Sequence, residues 1–70
     1  MDLVVVVEKA QDGSFSAYVP DLPGCVSCGE TEDEVRQMIQ EAIKIHLESL
    51  RTHGESIPKP TTRAFTVHAA

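Results

Sequence analysis

Thr31 followed three positions later by Glu34 is a capping box, and behind it Val35, Met38, Ile39, Ala42, Ile43 and Leu50 recur at helical spacing until Gly54 marks the stop. Arg36, Gln37, Gln40, Glu41, Lys44 and Glu48 fall mostly on the other side, and the acidic run Glu30, Glu32, Asp33 and Glu34 sits where a helix N-terminus is partially positive. A helix with one apolar stripe needs an apolar surface to lie on. The rest of the chain reads as strands, so that surface has to be a sheet.

Residues 3–9 (LVVVVEK) are rich in β-branched side chains and end at Ala10-Gln11-Asp12-Gly13-Ser14, where Asp12-Gly13 suits a hairpin turn. The return strand, residues 15–19, alternates Phe15, Ala17 and Val19 against Ser16 and Tyr18. Pro20-Asp21-Leu22-Pro23-Gly24 breaks the ladder because neither proline donates an amide hydrogen. Residues 25–29 read as a short third strand. After the helix, Ile57-Pro58-Lys59-Pro60 is an extended connector, and residues 64–69 (AFTVHA) alternate as a fourth strand.

The order β-β-β-α-β makes the chain, residues 1–70, a single α+β domain: one sheet with one helix packed on one face. The last two strands are expected to run parallel across a right-handed crossover. Val4-Val5-Val6-Val7, apolar on both sides of its strand, suits a central position. The face away from the helix then requires exposure or a second chain, so at least a homodimer is expected.

Seventy residues and 4% aromatic content allow only a thin aliphatic core, with no large enclosed active site. A net charge of −5 opposes direct nucleic-acid binding and favours a basic protein partner. No apolar run is long enough to span a bilayer, and Met1-Asp2 lacks the basic start of a signal peptide. A cytoplasmic location with Cys25 and Cys28 reduced is expected.

Cys25-Val26-Ser27-Cys28 has the spacing of half a zinc site or of a redox pair, but a second pair of ligands is missing. On a strand, positions three apart point to opposite faces, so one buried and one exposed thiol is the ordinary outcome. His46 falls in the middle of the helical stripe and is expected to lie against the sheet, while His53 and His68 are not gathered with it by any spacing. No catalytic, cofactor-binding or metal-ligating residue is therefore assigned. Glu41 and Glu48, seven apart on one side of the helix, leave room for contact with a basic partner.

Tyr18-Val19-Pro20-Asp21-Leu22-Pro23-Gly24-Cys25 resembles the signature of the HicB antitoxin family. Asp12-Gly13, Gly29-Glu30-Thr31, residues 42–47 (AIKIHL) and Gly54-Glu55-Ser56-Ile57-Pro58 resemble that family in order and spacing, over about residues 3–60. The resemblance implies a partial RNase H-like fold and the antitoxin half of a type II toxin-antitoxin pair. It implies as partner a HicA-type toxin, a small basic protein that cleaves mRNA with a histidine the antitoxin covers. Many members carry a ribbon-helix-helix or helix-turn-helix segment after this domain, whereas this chain reads as a short form lacking that DNA-binding module.

Catalysis by an RNase H-like nuclease needs sheet carboxylates to hold two metal ions, and residues 3–7 offer only Leu and Val. A non-catalytic neutralising module is the leading reading, and a solitary homo-oligomeric structural or regulatory module is the alternative. The toxin contact is expected at Asp21, Leu22, Pro23, Glu41 and Glu48, with Leu22 as a rigid apolar tip on a proline-stiffened loop. The competing role for Asp21 and Leu22 is to hold that loop against the domain's own core.

Overall fold

The computed structural model describes residues 1–70 as three strands followed by one helix: β1 (Val6–Lys9), β2 (Phe15–Tyr18), β3 (Val26–Gly29) and α1 (Glu32–Thr52). The sheet is antiparallel throughout, in the order β1-β2-β3, and α1 lies on one face of it. This is the expected α+β arrangement.

Between β1 and β2 the turn is built by its own side chains. The Asp12 carboxylate accepts from the Ser14 amide at 2.9 Å and the Ser14 hydroxyl at 2.6 Å, and Gly13 takes a φ of 89° that a side chain would resist. These two hydrogen bonds hold the Asp12 carboxyl below the usual carboxylate range, that from the Ser14 hydroxyl contributing most.

The register sorts the sheet into two faces. Val7, Ala17 and Ser27 lie abreast on the helix side, and Val6, Tyr18 and Val26 form a row on the other. Ala17, Val19, Leu22, Cys25, Val35 and Ile39 are fully enclosed, with Leu3, Val5, Val7, Phe15, Ala42, Ile43 and Leu47 packed around them. The apolar stripe of α1 thus takes in Leu47, while Met38 is left 44% exposed.

At the start of α1, the Thr31 hydroxyl accepts from the Glu34 amide at 3.1 Å, as the capping box requires. The Glu34 carboxylate reaches back to the Glu30 amide, at 3.4 Å, instead of the Thr31 amide. Arg36 pairs with Glu32 one turn earlier at 2.7 Å on the exposed surface. Gly29 allows β3 to meet this helix closely, since a Cβ there would stand 3.0 Å from the Val35 backbone nitrogen.

Two expectations fail, for one shared reason. Residues 64–69 form no strand, and β1 is consequently an edge instead of a central strand. The preceding segment is tied down beside Leu3 and Val4, and from there the chain runs extended without reaching a sheet edge. Its alternating side chains stay in solvent, with Phe65 88% and Val67 68% exposed. The parallel pair and its crossover therefore do not form within one chain, and the Val4–Val7 run is only half-buried.

Candidate functional site

The 20–24 loop closes on itself through backbone hydrogen bonds. The Val19 amide donates to the Cys25 carbonyl at 3.2 Å, the Leu22 amide to the Val19 carbonyl at 3.0 Å, and the Cys25 amide to the Leu22 carbonyl at 3.1 Å. This winding turns Leu22 inward, where it is fully buried against Val35 and Ile39 in the core cluster. Leu22 is therefore not an exposed tip, which corrects the expected partner contact at this position. Two closed turns leave its side chain no direction but the core.

Asp21 is also committed inside the molecule. Its carboxylate accepts from the Thr61 amide and hydroxyl, both at 3.2 Å, and from the Thr62 amide and hydroxyl at 3.1 and 2.9 Å. These bonds, the Thr62 amide foremost, hold its carboxyl below the usual carboxylate range although partial desolvation acts the other way. Asp21 fastens the segment after α1 to the loop before β3, forty residues away in sequence. Pairing of an aspartate with two successive threonines so distant carries no sequence signal at the Asp.

Pro23, Glu41 and Glu48 remain exposed. Gly24, next to Pro23, opens onto a cleft of about 400 Å³ between the start of β3 and α1, lined by Cys25, Val26, Ala42, Ile45, His46 and Ser49. Val26 is 64% and Ile45 58% exposed, and Met38 lies two turns before Ile45 on the same side of the helix. Glu41 and Glu48, four before and three after Ile45, flank it along the helix. Beside this patch the outer edge of β3 has no strand partner. The result is an apolar centre with carboxylates at its rim and a free strand edge alongside.

Ile45 and Val26 were not singled out by sequence reasoning. Ile45 stands seven residues after Met38 at the margin of the apolar stripe, next to the side that carries Glu41 and Glu48, and an apolar residue at that border is the signal that could have found it. His46 is half-buried, lining the cleft beside the loop. It is not grouped with His53, which caps α1 through its own backbone amide and whose Nδ1 lies 2.7 Å from the Ser49 carbonyl oxygen, nor with His68.

Cys25 is buried in the core and Cys28 exposed on the opposite sheet face, so the pair cannot converge on one ion, and burial pushes the Cys25 thiol up. No three His, Cys, Asp or Glu side chains stand close enough to share a metal ion. No helix is long and apolar enough to cross a membrane.

Residues 3–69 match the family described as HicB_like antitoxin of bacterial toxin-antitoxin system. The chain is similar to UPF0150 protein Ta0767 of Thermoplasma acidophilum, at 42% identity over 99% of this chain and 100% of that protein. It is also similar to UPF0150 protein ssr1765 of Synechocystis, at 44% identity over 79% of this chain and 70% of that protein. Among solved structures, the N-terminal domain of Burkholderia pseudomallei antitoxin HicB superposes with a TM-score of 0.80 at 35% identity, covering 89% of this chain and 74% of that one. Fold, loop and family profile agree over nearly the whole length, and the chain belongs to the HicB-like antitoxin family of bacterial toxin-antitoxin systems.

Proposed function

We propose that this chain is an antitoxin that binds a small, basic, mRNA-cleaving toxin of the HicA type and covers its active site. The observation that carries the proposal is the exposed Val26–Ile45 patch with Glu41 and Glu48 at its rim, beside the open edge of β3. An apolar centre with an acidic rim complements a basic surface with an apolar centre, and the open edge can accept a strand from the partner. Exposed Pro23 precedes Gly24, which lines the same cleft, and adds a stiff contact. Asp21 and Leu22 act indirectly, by holding the loop that shapes one wall.

The module works by steric cover and not by chemistry. β1 has valines where a metal-dependent nuclease would need carboxylates, and its one acid, Glu8, lies abreast of Ser16 and Cys28, with no second acid in the row. Metal and cofactor play no part in this reading. The net charge of −5 directs the chain toward a basic protein and away from direct contact with nucleic acid, and its two free thiols suit the reducing cytoplasm. The exposed Phe65 and the unpaired outer edge of β1 support a homodimer.

Co-expression with a candidate small basic protein of the HicA type, followed by affinity capture, tests the pairing. A complex that lowers the toxin's cleavage of mRNA is the expected result. A folded chain that neither captures nor inhibits that protein would instead support the solitary homo-oligomeric module. Incubation of the purified chain with RNA and Mg²⁺ should leave the RNA intact, and cleavage that co-elutes with the chain would refute the non-catalytic reading.

A further inference from the structure

Asp21 fixes the root of the segment that follows α1 by its four hydrogen bonds to Thr61 and Thr62, and beyond that root the chain stands away from the domain. The molecule is 46 Å long and 15 Å thin, with a radius of gyration of 13.6 Å where a compact chain of this length has about 11 Å. Phe65 is 88% and Val67 68% exposed. Alternate residues of an extended chain share a face, so both side chains point the same way, and such a Phe leaves on the order of 150 Å² in water.

A matching gap exists on the same molecule. β1 pairs only with β2, so its outer amides and carbonyls are free, and beside it Val5, Val7 and Ile39 line an open cleft of about 240 Å³. This is the edge at which the core is left incomplete by the absence of a fourth strand. Charge points the same way. Residues 59–70 carry Lys59 and Arg63 and no acid, whereas residues 1–58 hold all eleven Asp and Glu and four of the six Lys and Arg. An acidic body repels its own copy, and this segment is the part of the chain that it attracts.

We infer that two copies of this chain exchange these segments: residues 64–67 of each add as a fourth strand to the β1 edge of the other, with Phe65 and Val67 covering Val5, Val7 and Ile39. The occupant is a second copy because the segment, rooted by Asp21 beside Leu3 and Val4, leaves its own domain beyond Ala64, where Phe65 and Val67 stand exposed and unpaired with the β1 edge. Two reciprocal arms with the clefts they cover remove on the order of 1,000 Å² from water, the scale of a specific interface. The exchange rests on the homodimer proposed above and is independent of the toxin contact.

Light scattering at micromolar concentration should give twice 7.6 kDa. In a sample mixed from isotope-labelled and unlabelled chains, filtered NOE spectra should connect the Phe65 ring of one copy to Val5, Val7 and Ile39 methyls of the other. Phe65→Glu with Val67→Glu should halve the mass while the helical circular dichroism persists, and Tyr18→Glu with Val26→Glu should leave the mass unchanged. A dimer that survives the arm substitutions and dissociates with the sheet-face pair would overturn the exchange and leave the homodimer standing. A wild-type monomer, with or without Phe65 contacts inside one copy, would overturn both.

Discussion

Asp21 and Leu22 are neighbours in the loop motif and hold it from opposite sides, Leu22 through the core and Asp21 through Thr61 and Thr62. Leu22→Ala should lower stability by about 2–5 kcal/mol, because a fully buried leucine is replaced by a cavity. In a domain of this size that corresponds to a fall in Tm of at least about 10 °C by calorimetry. Below its lowered Tm the variant should bind toxin with rates changed less than about tenfold, since Leu22 has no exposed surface to offer and acts only through the loop it holds. Asp21→Asn removes the ionised acceptor and should speed hydrogen exchange at the Thr61 and Thr62 amides. The depressed carboxyl of Asp21 fixes the sign with pH. Its contribution is present above the ordinary carboxylate value of about 4 and is lost as pH falls through the lower folded value. Protection of those amides followed by NMR should fade in that window in the wild type, and a pH-independent profile would contradict the assignment. The PDLPG run was legible as a rigid motif, but its two possible uses were not separable, because burial of one side chain depends on how the loop closes in space.

At the scale of elements, β3 and α1 meet through Gly29 and the Thr31 cap. Gly29→Ala should destabilise the domain, since the added methyl stands 3.0 Å from the Val35 backbone nitrogen and backbone cannot give way as a side-chain tip can. Thr31→Ala should cost about 1 kcal/mol by removing the acceptor for the Glu34 amide. Chemical denaturation of both variants checks the order, with Thr31→Ala the milder. The helix and its cap were legible because both depend on residues three and four apart, and the hairpin because Asp12-Gly13 serves its own turn. The fourth strand was misread because alternation in AFTVHA reports that a segment can be a strand, while the partner edge depends on where Asp21 pins the chain. The central place expected for β1 failed with it.

For the whole molecule, the distribution of what is finished and unfinished matters most. The helix-covered face is closed, the β1 edge lacks a strand, and the β3 side presents Val26 and Ile45 between Glu41 and Glu48. Composition made the acidic character legible, and it left unseen the patch that only folding assembles from β3 and α1. Glu41→Gln with Glu48→Gln should slow association with the toxin and flatten its salt dependence, leaving dissociation nearly unchanged, as stopped-flow measurements would show. The central claim is that this patch covers the toxin, and it is tested most directly by titrating the chain into the toxin's mRNA-cleavage reaction beside its Ile45→Asp variant. Ile45 is exposed, so the substitution should leave the fold intact by circular dichroism while raising the concentration needed for half-inhibition at least about tenfold, the equivalent of 1.4 kcal/mol. A folded Ile45→Asp chain that inhibits at the wild-type concentration would place the toxin elsewhere and contradict the account.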